Sequence, residues 1–266
     1  MQLIHGDCFL ELKKIPSHSV DFICIDPPYA DFNHLKWDKK LNFDVLFDEF
    51  FRILKNNHFL CVFGEEPFST KVRLAGKEKY RYDWYHLKRH ATGFLNAHYQ
   101  PLRRVENIMV FTEAALSTGA KTKDIPYYPQ LGQTTRVRTN KSFEKTARKK
   151  SLYNKKMGFY YDGCERCVGT PLNIIDIFDG EMSGEHFTYK SVNLLKYLIR
   201  TYTKPKDVVL DCFMGSGSCG VAAVETNRDF IGMELEKEQF DIAKENIEAR
   251  VKNESNALFP SSEIEA

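Results

Sequence analysis

The sequence predicts an α/β fold, a doubly wound and mostly parallel sheet. Two observations predict it: short runs of continuous rather than alternating apolar residues, and helix-like segments lying between them. A third is a glycine-rich turn that links one such run to a helix of small residues. The 266 residues suffice for one large domain, or one domain carrying a sizeable insertion.

The strand-like runs fall near 1–5 and at 20–26 (VDFICID), 58–64 (HFLCVFG), 106–111 (ENIMVF), 207–211 (DVVLD) and 229–234 (DFIGME). Their β-branched and aromatic content suits strands covered on both faces. Helix-like segments occupy 43–55, 67–78, 191–203, 218–227 and 236–251. Between Lys121 and Lys156 the pattern breaks: eleven lysines and arginines accompany only Asp124 and Glu144, with aromatics interleaved. This reads as a basic insertion over 114–185, which divides the core into halves at 1–113 and 186–252. Residues 253–266 have the composition of a flexible tail.

A net charge of +2, with 42% hydrophobic and 28% charged residues, is that of an ordinary soluble globular protein. The nucleic-acid signal therefore lies in the clustering of basic residues, not in their total. No apolar run approaches the ~20 residues that span a bilayer. The start, MQLIHGDCFLELKK, lacks the pattern of a signal peptide, so a cytoplasmic location and no membrane partner are expected. Seven cysteines, an odd number in apolar contexts such as Cys24, Cys61 and Cys212, read as reduced thiols. Cys164 and Cys167 have zinc-type spacing but no second pair nearby, so no metal is expected.

Two stretches carry chemistry. The first, Asp26-Pro27-Pro28-Tyr29, follows a buried-looking strand. Each proline fixes φ and lacks an amide donor, so this is either an ordinary rigid turn or a stiff grip on a ligand. The second, VVLDCFMGSGSCGVAA at 208–223, runs from strand to glycine turn to helix, and about twenty residues later the next strand ends in Glu234. Glycines let a ligand approach the backbone, and an acid at a strand end can accept from ribose hydroxyls. Gly215, Gly217 and Gly220 fit the dinucleotide spacing, but Asp211 stands where that fingerprint has no acid, and no P-loop lysine is present.

Together, DPPY and DCFMGSGS resemble the amino-methyltransferases that alkylate DNA bases with S-adenosyl-L-methionine. The order, catalytic motif first and cofactor loop last, resembles the β group of that family. The stretch GFLNAHYQPLRRVENIMVF at 93–111 is similar to prophage-type adenine methyltransferases. The resemblance spans about 1–113 and 186–252. It implies a Rossmann-like methyltransferase sheet, with 114–185 as the target-recognition insertion and double-stranded DNA as partner. It leaves a homodimer open.

By the same resemblance, Asp26, Pro27, Pro28 and Tyr29 are catalytic. Asp7, Cys8, Asp26, His186, Thr188, Lys190, Asp211, Phe213, Gly215, Ser216, Gly217 and Glu234 line the cofactor site. Arg136, Arg138, Lys141, Arg148, Lys149 and Lys150 are candidate DNA contacts. Two departures stand out: HFTYKS replaces the usual HPTQKP, and Cys219 replaces a threonine.

An exocyclic amine conjugated to its ring is a poor nucleophile. Acceptors on both of its protons, the Asp26 carboxylate and the Pro27 carbonyl, would free its lone pair, and the prolines would hold that carbonyl in place. Tyr29 would stack on a base rotated out of the duplex. Extrusion costs a few kcal/mol, and stacking offsets roughly 1–3 kcal/mol of it. A cytosine C5-methyltransferase would need a nucleophilic cysteine after proline, and none of the ten prolines is followed by one. An N4-cytosine enzyme of the same fold is the alternative, with the leading aspartate favouring N6 of adenine. Related motifs occur in enzymes that methylate RNA or protein glutamine, and the basic insertion and motif order count against a protein substrate. Intact Asp26, Pro27, Pro28, Tyr29, Asp211 and Glu234 count against a binding module with a dead cofactor fold.

Overall fold

The computed structural model describes residues 1–29, 41–116, 125–130, 171–177 and 190–258. Among them eight strands form one sheet: β1 (Gln2–His5), β2 (Val20–Ile25), β3 (Leu54–Gly64), β4 (Tyr80–Thr92), β5 (Arg103–Phe111), β6 (Ile174–Ile175), β7 (Val208–Asp211) and β8 (Asp229–Glu234). Their order across the sheet is β1-β8-β7-β2-β3-β5-β4-β6. All neighbours pair in parallel except β5, which runs antiparallel to both β3 and β4. The doubly wound, mostly parallel sheet expected from the sequence is present.

Helices cover both faces. On one lie α1 (Cys8–Glu11), α2 (Phe43–Ile53) and α3 (Phe68–Ala75); on the other lie α4 (Val192–Tyr202), α5 (Ser218–Glu225) and α6 (Lys237–Leu258). Strand β2 shows why its sequence is continuously apolar. All six residues are buried; Phe22 and Cys24 join the α4–α6 layer, while Val20, Ile23 and Ile25 join the α1–α3 layer. A strand packed on both faces has no solvent side on which to place polar residues.

Helices α2 and α4 begin at side-chain caps. Asn42 accepts from the Val45 amide, and Ser191 accepts from the Leu194 amide. Such caps satisfy amides that no helical carbonyl can reach. Helix α6 runs to Leu258, past residue 252, so the helix enters the segment expected to be a tail.

Strand β4 is the longest of the elements that periodicity does not indicate, the others being α1 and β6. Its sequence YRYDWYHLKRHAT is rich in polar and charged residues, yet it pairs with β5 over most of its length. Trp84 is buried, and its indole Nε1–H donates to the Tyr202 hydroxyl at 2.7 Å, which also lies 2.9 Å from the Tyr82 hydroxyl. The described ends of the expected insertion are tied to this core. The Tyr128 amide donates to the Thr201 carbonyl at 2.7 Å, and Ile174–Ile175 pairs with β4.

At the N-terminal end of the central strands, Asp21 joins three elements. It accepts from Lys55 Nζ at 2.8 Å and from the Val208 amide at 2.9 Å, with His58 Nε2 at 3.3 Å. Burial pushes its carboxyl up, but the bonds from His58, Lys55 and Val208 outweigh that and hold it at about 2. A depressed carboxyl stabilises the fold above its ordinary value of 3.8, and that contribution disappears as pH falls through the folded value. Asp21→Asn should therefore destabilise the protein by about 1–3 kcal/mol near neutral pH. In urea denaturation the gap to the wild type should close as pH approaches 2.

Candidate active site

Strands β7 and β2 lie side by side and parallel, with Phe22 opposite Val209 and Ile23 opposite Leu210. Their C-terminal ends therefore open onto the same edge of the sheet. Asp211 ends β7, and Asp26 follows β2 directly. Here the helices divide: the one after β7 packs on one face, and the one after β2 on the other. Crevices at such a reversal are where open α/β sheets take ligands.

On the β7–β8 side the chain turns through Phe213, Gly215, Ser216 and Gly217. Gly215 has φ +49° and Gly217 φ +87°, in the left-handed region that favours glycine. A Cβ on Gly217 would also come within 3.0 Å of the Ala243 backbone, so two reasons fix glycine there. Around a Cβ on Gly215 there is open space.

Glu234, at the end of β8, braces this turn. Its carboxylate accepts from the Gly215 amide at 2.9 Å, the Leu235 amide at 2.9 Å and the Glu236 amide at 3.0 Å. A carboxylate has about four acceptor positions, so capacity remains for a ligand hydroxyl. Asp211 accepts from the Phe213 amide at 3.0 Å. Burial pushes the Asp211 carboxyl up to about 8; the Phe213 bond opposes this, and Asp26 and Glu234 add to it. The Ser216 carbonyl accepts from the Asn246 side chain through Nδ2 at 2.9 Å, which ties the turn to α6.

Asp7 reaches the same edge, because β1 pairs with β8 and the Gly6 amide donates to the Glu234 carbonyl. Its side chain caps α1 by accepting from the Phe9 amide at 2.9 Å. Cys8 is buried, with its thiol against Cys212 in the α1–α3 layer. Cys219, in the position of the usual threonine, is also buried and lies against Cys24 and Asp211.

The DPPY turn carries a second cluster. The Tyr29 hydroxyl donates to Asp26 Oδ1 at 3.0 Å, and the Tyr29 ring packs on Phe68 with centroids 4.6 Å apart. Lys190 Nζ lies 3.0 Å from Asp26 Oδ2 and donates to Glu106 Oε1 at 2.6 Å. The same ammonium sits 4.9 Å from the Phe63 ring centroid, and Glu106 Oε2 is 3.5 Å from His86 Nδ1. Glu106 is 7% exposed in its side chain, whereas Asp26 keeps 32%.

These neighbours set the charges. Burial pushes Asp26 up, Lys190 pulls it down, and Glu106 pushes it up again; the net direction is upward. Burial would also raise Glu106, but Lys190 and His86 hold it at about 2. For Lys190, burial pulls down, yet Asp26 and Glu106 outweigh it and keep the ammonium above the ordinary lysine range.

The structure thus brings Asp26, Tyr29 and Lys190 together, and Asp211, Phe213, Gly215, Ser216, Gly217 and Glu234 one strand away. Pro27 is buried and Pro28 half-buried in the same turn. Lys190, expected among the cofactor contacts, pairs with Asp26 and Glu106. His186, Thr188, Arg136, Arg138, Lys141, Arg148, Lys149 and Lys150 lie outside the described residues, as do Cys164 and Cys167. No sequence motif singles out Glu106 or His86. The signal for Glu106 is a carboxylate heading the apolar run ENIMVF, which no surface position requires.

The site is thus an open α/β sheet edge that carries a glycine turn braced by a strand-end acid beside a rigid Asp-Pro-Pro-Tyr turn. Comparison with known proteins narrows its chemistry. Residues 20–245 match the N6/N4 DNA methylase family. The chain is 30% identical over 255 residues to the DNA adenine methyltransferase YhdJ of Escherichia coli (strain K12), covering 89% of this chain and 79% of that protein. Among solved structures, M1.HpyAVI in complex with SAM superposes with a TM-score of 0.56 at 22% identity, covering 92% and 98% of the two chains. The cytosine-N4-specific PvuII DNA methyltransferase gives 0.60 at 15% identity, covering 98% and 93%. The chain belongs to the N6/N4 DNA methylase family.

Asp211 offers a test within this site. A carboxyl raised on folding stabilises the native state below its ordinary value of 3.8, and that contribution is lost as pH rises through about 8. Asp211→Asn keeps an acceptor for the Phe213 amide without the buried charge. Relative to the wild type it should gain more than about 1 kcal/mol of stability between mildly acidic and alkaline pH, read by urea denaturation.

Proposed function

We propose that this protein transfers a methyl group from S-adenosyl-L-methionine to the N6 amine of adenine within a particular DNA sequence. One observation carries the reading: the Asp26 carboxylate stands at the sheet edge one strand from the Asp211–Glu234 turn, so an amine and a nucleoside cofactor would meet there. The relative named as an adenine methyltransferase supports adenine. The likeness to a cytosine-N4 enzyme keeps N4 of cytosine as the second reading.

The residues fit the cofactor. Glu234 keeps acceptor capacity for ribose hydroxyls, Gly215 has open space above its backbone, and Asp7, Asp211 and Phe213 border the same edge. When bound, S-adenosyl-L-methionine supplies an electrophilic methyl group. This chain supplies the rest. Asp26 and the Pro27 carbonyl accept from the two amine protons and release the nitrogen lone pair towards the methyl donor. Tyr29, supported by Phe68, gives the base an aromatic surface once it has been rotated out of the duplex. The basic residues of 114–185 hold DNA phosphates, with Arg136, Arg138, Lys141, Arg148, Lys149 and Lys150 as contacts, so binding weakens with salt.

The motif order, DPPY before the glycine turn, supports a β-group arrangement with 1–113 and 186–252 as its two halves, and the stretch at 93–111 supports a prophage type. Action on double-stranded DNA in the cytoplasm completes the proposal, with a homodimer left open.

Incubating unmethylated DNA with labelled S-adenosyl-L-methionine and mapping the modified base tests it. N6-methyladenine is expected; N4-methylcytosine, or no transfer to DNA, would overturn the adenine reading. Asp26→Ala should reduce transfer by at least about a hundredfold, while equilibrium binding of the cofactor changes little. Near-full activity in that variant would rule out the two-acceptor scheme.

A further inference from the structure

Both oxygens of the Asp26 carboxylate are occupied in this structure. Oδ1 receives the Tyr29 hydroxyl at 3.0 Å, and Oδ2 faces Lys190 Nζ at 3.0 Å. Each oxygen can accept a second hydrogen bond, so the amine enters most easily at the oxygen whose present partner moves at least cost. The two partners are held very differently. Tyr29 belongs to the turn itself and has one described hydrogen bond, to Asp26. Lys190 is shared with Glu106, which binds it at 2.6 Å, is 7% exposed in its side chain and is backed by His86. Moving Lys190 would leave a buried carboxylate without its counter-ion, a strongly unfavourable state. Moving the Tyr29 hydroxyl uncovers Oδ1 but leaves Asp26 paired with Lys190.

We propose that Lys190 is the positioning residue for Asp26: anchored by Glu106, it keeps Oδ2, so that Oδ1, released by Tyr29, is the oxygen offered to the amine of the target base. This rests on the amine-methylation reading above. It also gives Lys190 a different task from that of a cofactor ligand. Tyr29 has two states in this arrangement: a hydroxyl cap on Asp26 before the base arrives, and a stacking surface afterwards.

The groups facing Asp26 come from each element packed there. They are Lys190 ahead of α4, Glu106 from β5 with His86 of β4 behind it, Tyr29 of the same turn and Asp211 from β7. Lys190 is the cation in direct contact with Asp26 among the described residues. Its removal leaves the carboxylate facing the Glu106 carboxylate without a counter-ion, so the proton is held more tightly.

The test reads the Asp26 carboxyl directly. In full-length protein labelled with 13C at the aspartate carboxyls, the Asp26 signal is identified by its absence in Asp26→Asn. It is then titrated in the wild type, Lys190→Met, Lys190→Arg and Lys190→Met/Glu106→Gln. Lys190→Met should raise the midpoint by about one pH unit or more, and Lys190→Arg should restore it. The double variant should fall between, because its second carboxylate is gone; if Lys190→Met does not fold, this variant against Glu106→Gln alone makes the same comparison. A midpoint in the methionine variant within about 0.3 pH units of wild type would overturn the proposal.

In methyl-transfer assays, Lys190→Met should lower kcat about tenfold at mildly acidic pH and less at alkaline pH, with the KM for cofactor unchanged. A loss uniform in pH, or confined to cofactor KM, would also overturn it. The titration needs neither DNA nor cofactor. Absence of DNA methylation in the wild type would therefore refute the amine-methylation reading, while the carboxyl midpoints still decide the role of Lys190.

Discussion

The parallel ladder between Val20–Ile25 and Val208–Asp211 is the contact on which the rest of the molecule depends. It joins residues far apart in the chain into the centre of one sheet, and it is clamped below by Asp21, which reaches Lys55 on β3 and the Val208 amide on β7. Above, the same two strands end in Asp26 and Asp211. Register is therefore function here. A slip of one residue would turn every side chain of β2 to the other face, exchanging Ile23 and Ile25 for Phe22 and Cys24 and carrying the carboxylate of Asp26 out of the crevice.

Acids gather at that edge for a physical reason. Parallel strands all deliver their last residues to one side, so a carboxylate ending each of β7 and β8 and following β2 crowds into one place. The fold answers this crowding in three ways. Glu234 is spread over three backbone amides, Asp211 is pushed towards its protonated form by burial, and Asp26 and Glu106 share one ammonium.

Much of this is legible in the sequence, and what is not has a common cause. Strands β2, β7 and β8 announce themselves because burial on both faces forces continuous apolarity, and Gly217 is marked by a turn that tolerates no Cβ. Strand β4 escapes notice because much of its surface is solvated; Tyr85, His90 and Thr92 are exposed, and its assignment comes from pairing with β5 rather than from its own pattern. The Glu106–Lys190 pair spans 84 positions and involves an acid inside a strand, so local periodicity carries no trace of it. Family likeness places Lys190 near the site but assigns it to the cofactor, since a motif records which residue is present and not what it touches. The basic residues expected to meet DNA, Arg136, Arg138, Lys141, Arg148, Lys149 and Lys150, fall outside the described residues, as do His186 and Thr188.

The central ladder also sets an order of events in synthesis. Strand β2 leaves the ribosome early and can pair with β3 soon afterwards, but its other edge belongs to β7. The Asp21–Val208 bond that closes this edge spans 187 positions. Until β7 emerges, β2 presents a bare row of amides and carbonyls flanked by apolar side chains, a template for any stray strand. Closing so long a loop is slow compared with local pairing, so the nascent N-terminal half must wait with that edge open. Asp26 and Asp211 then come together in one late step, and a chain cut short before Val208 would hold the Asp-Pro-Pro-Tyr turn and Lys190 without Asp211 and Glu234 across from them.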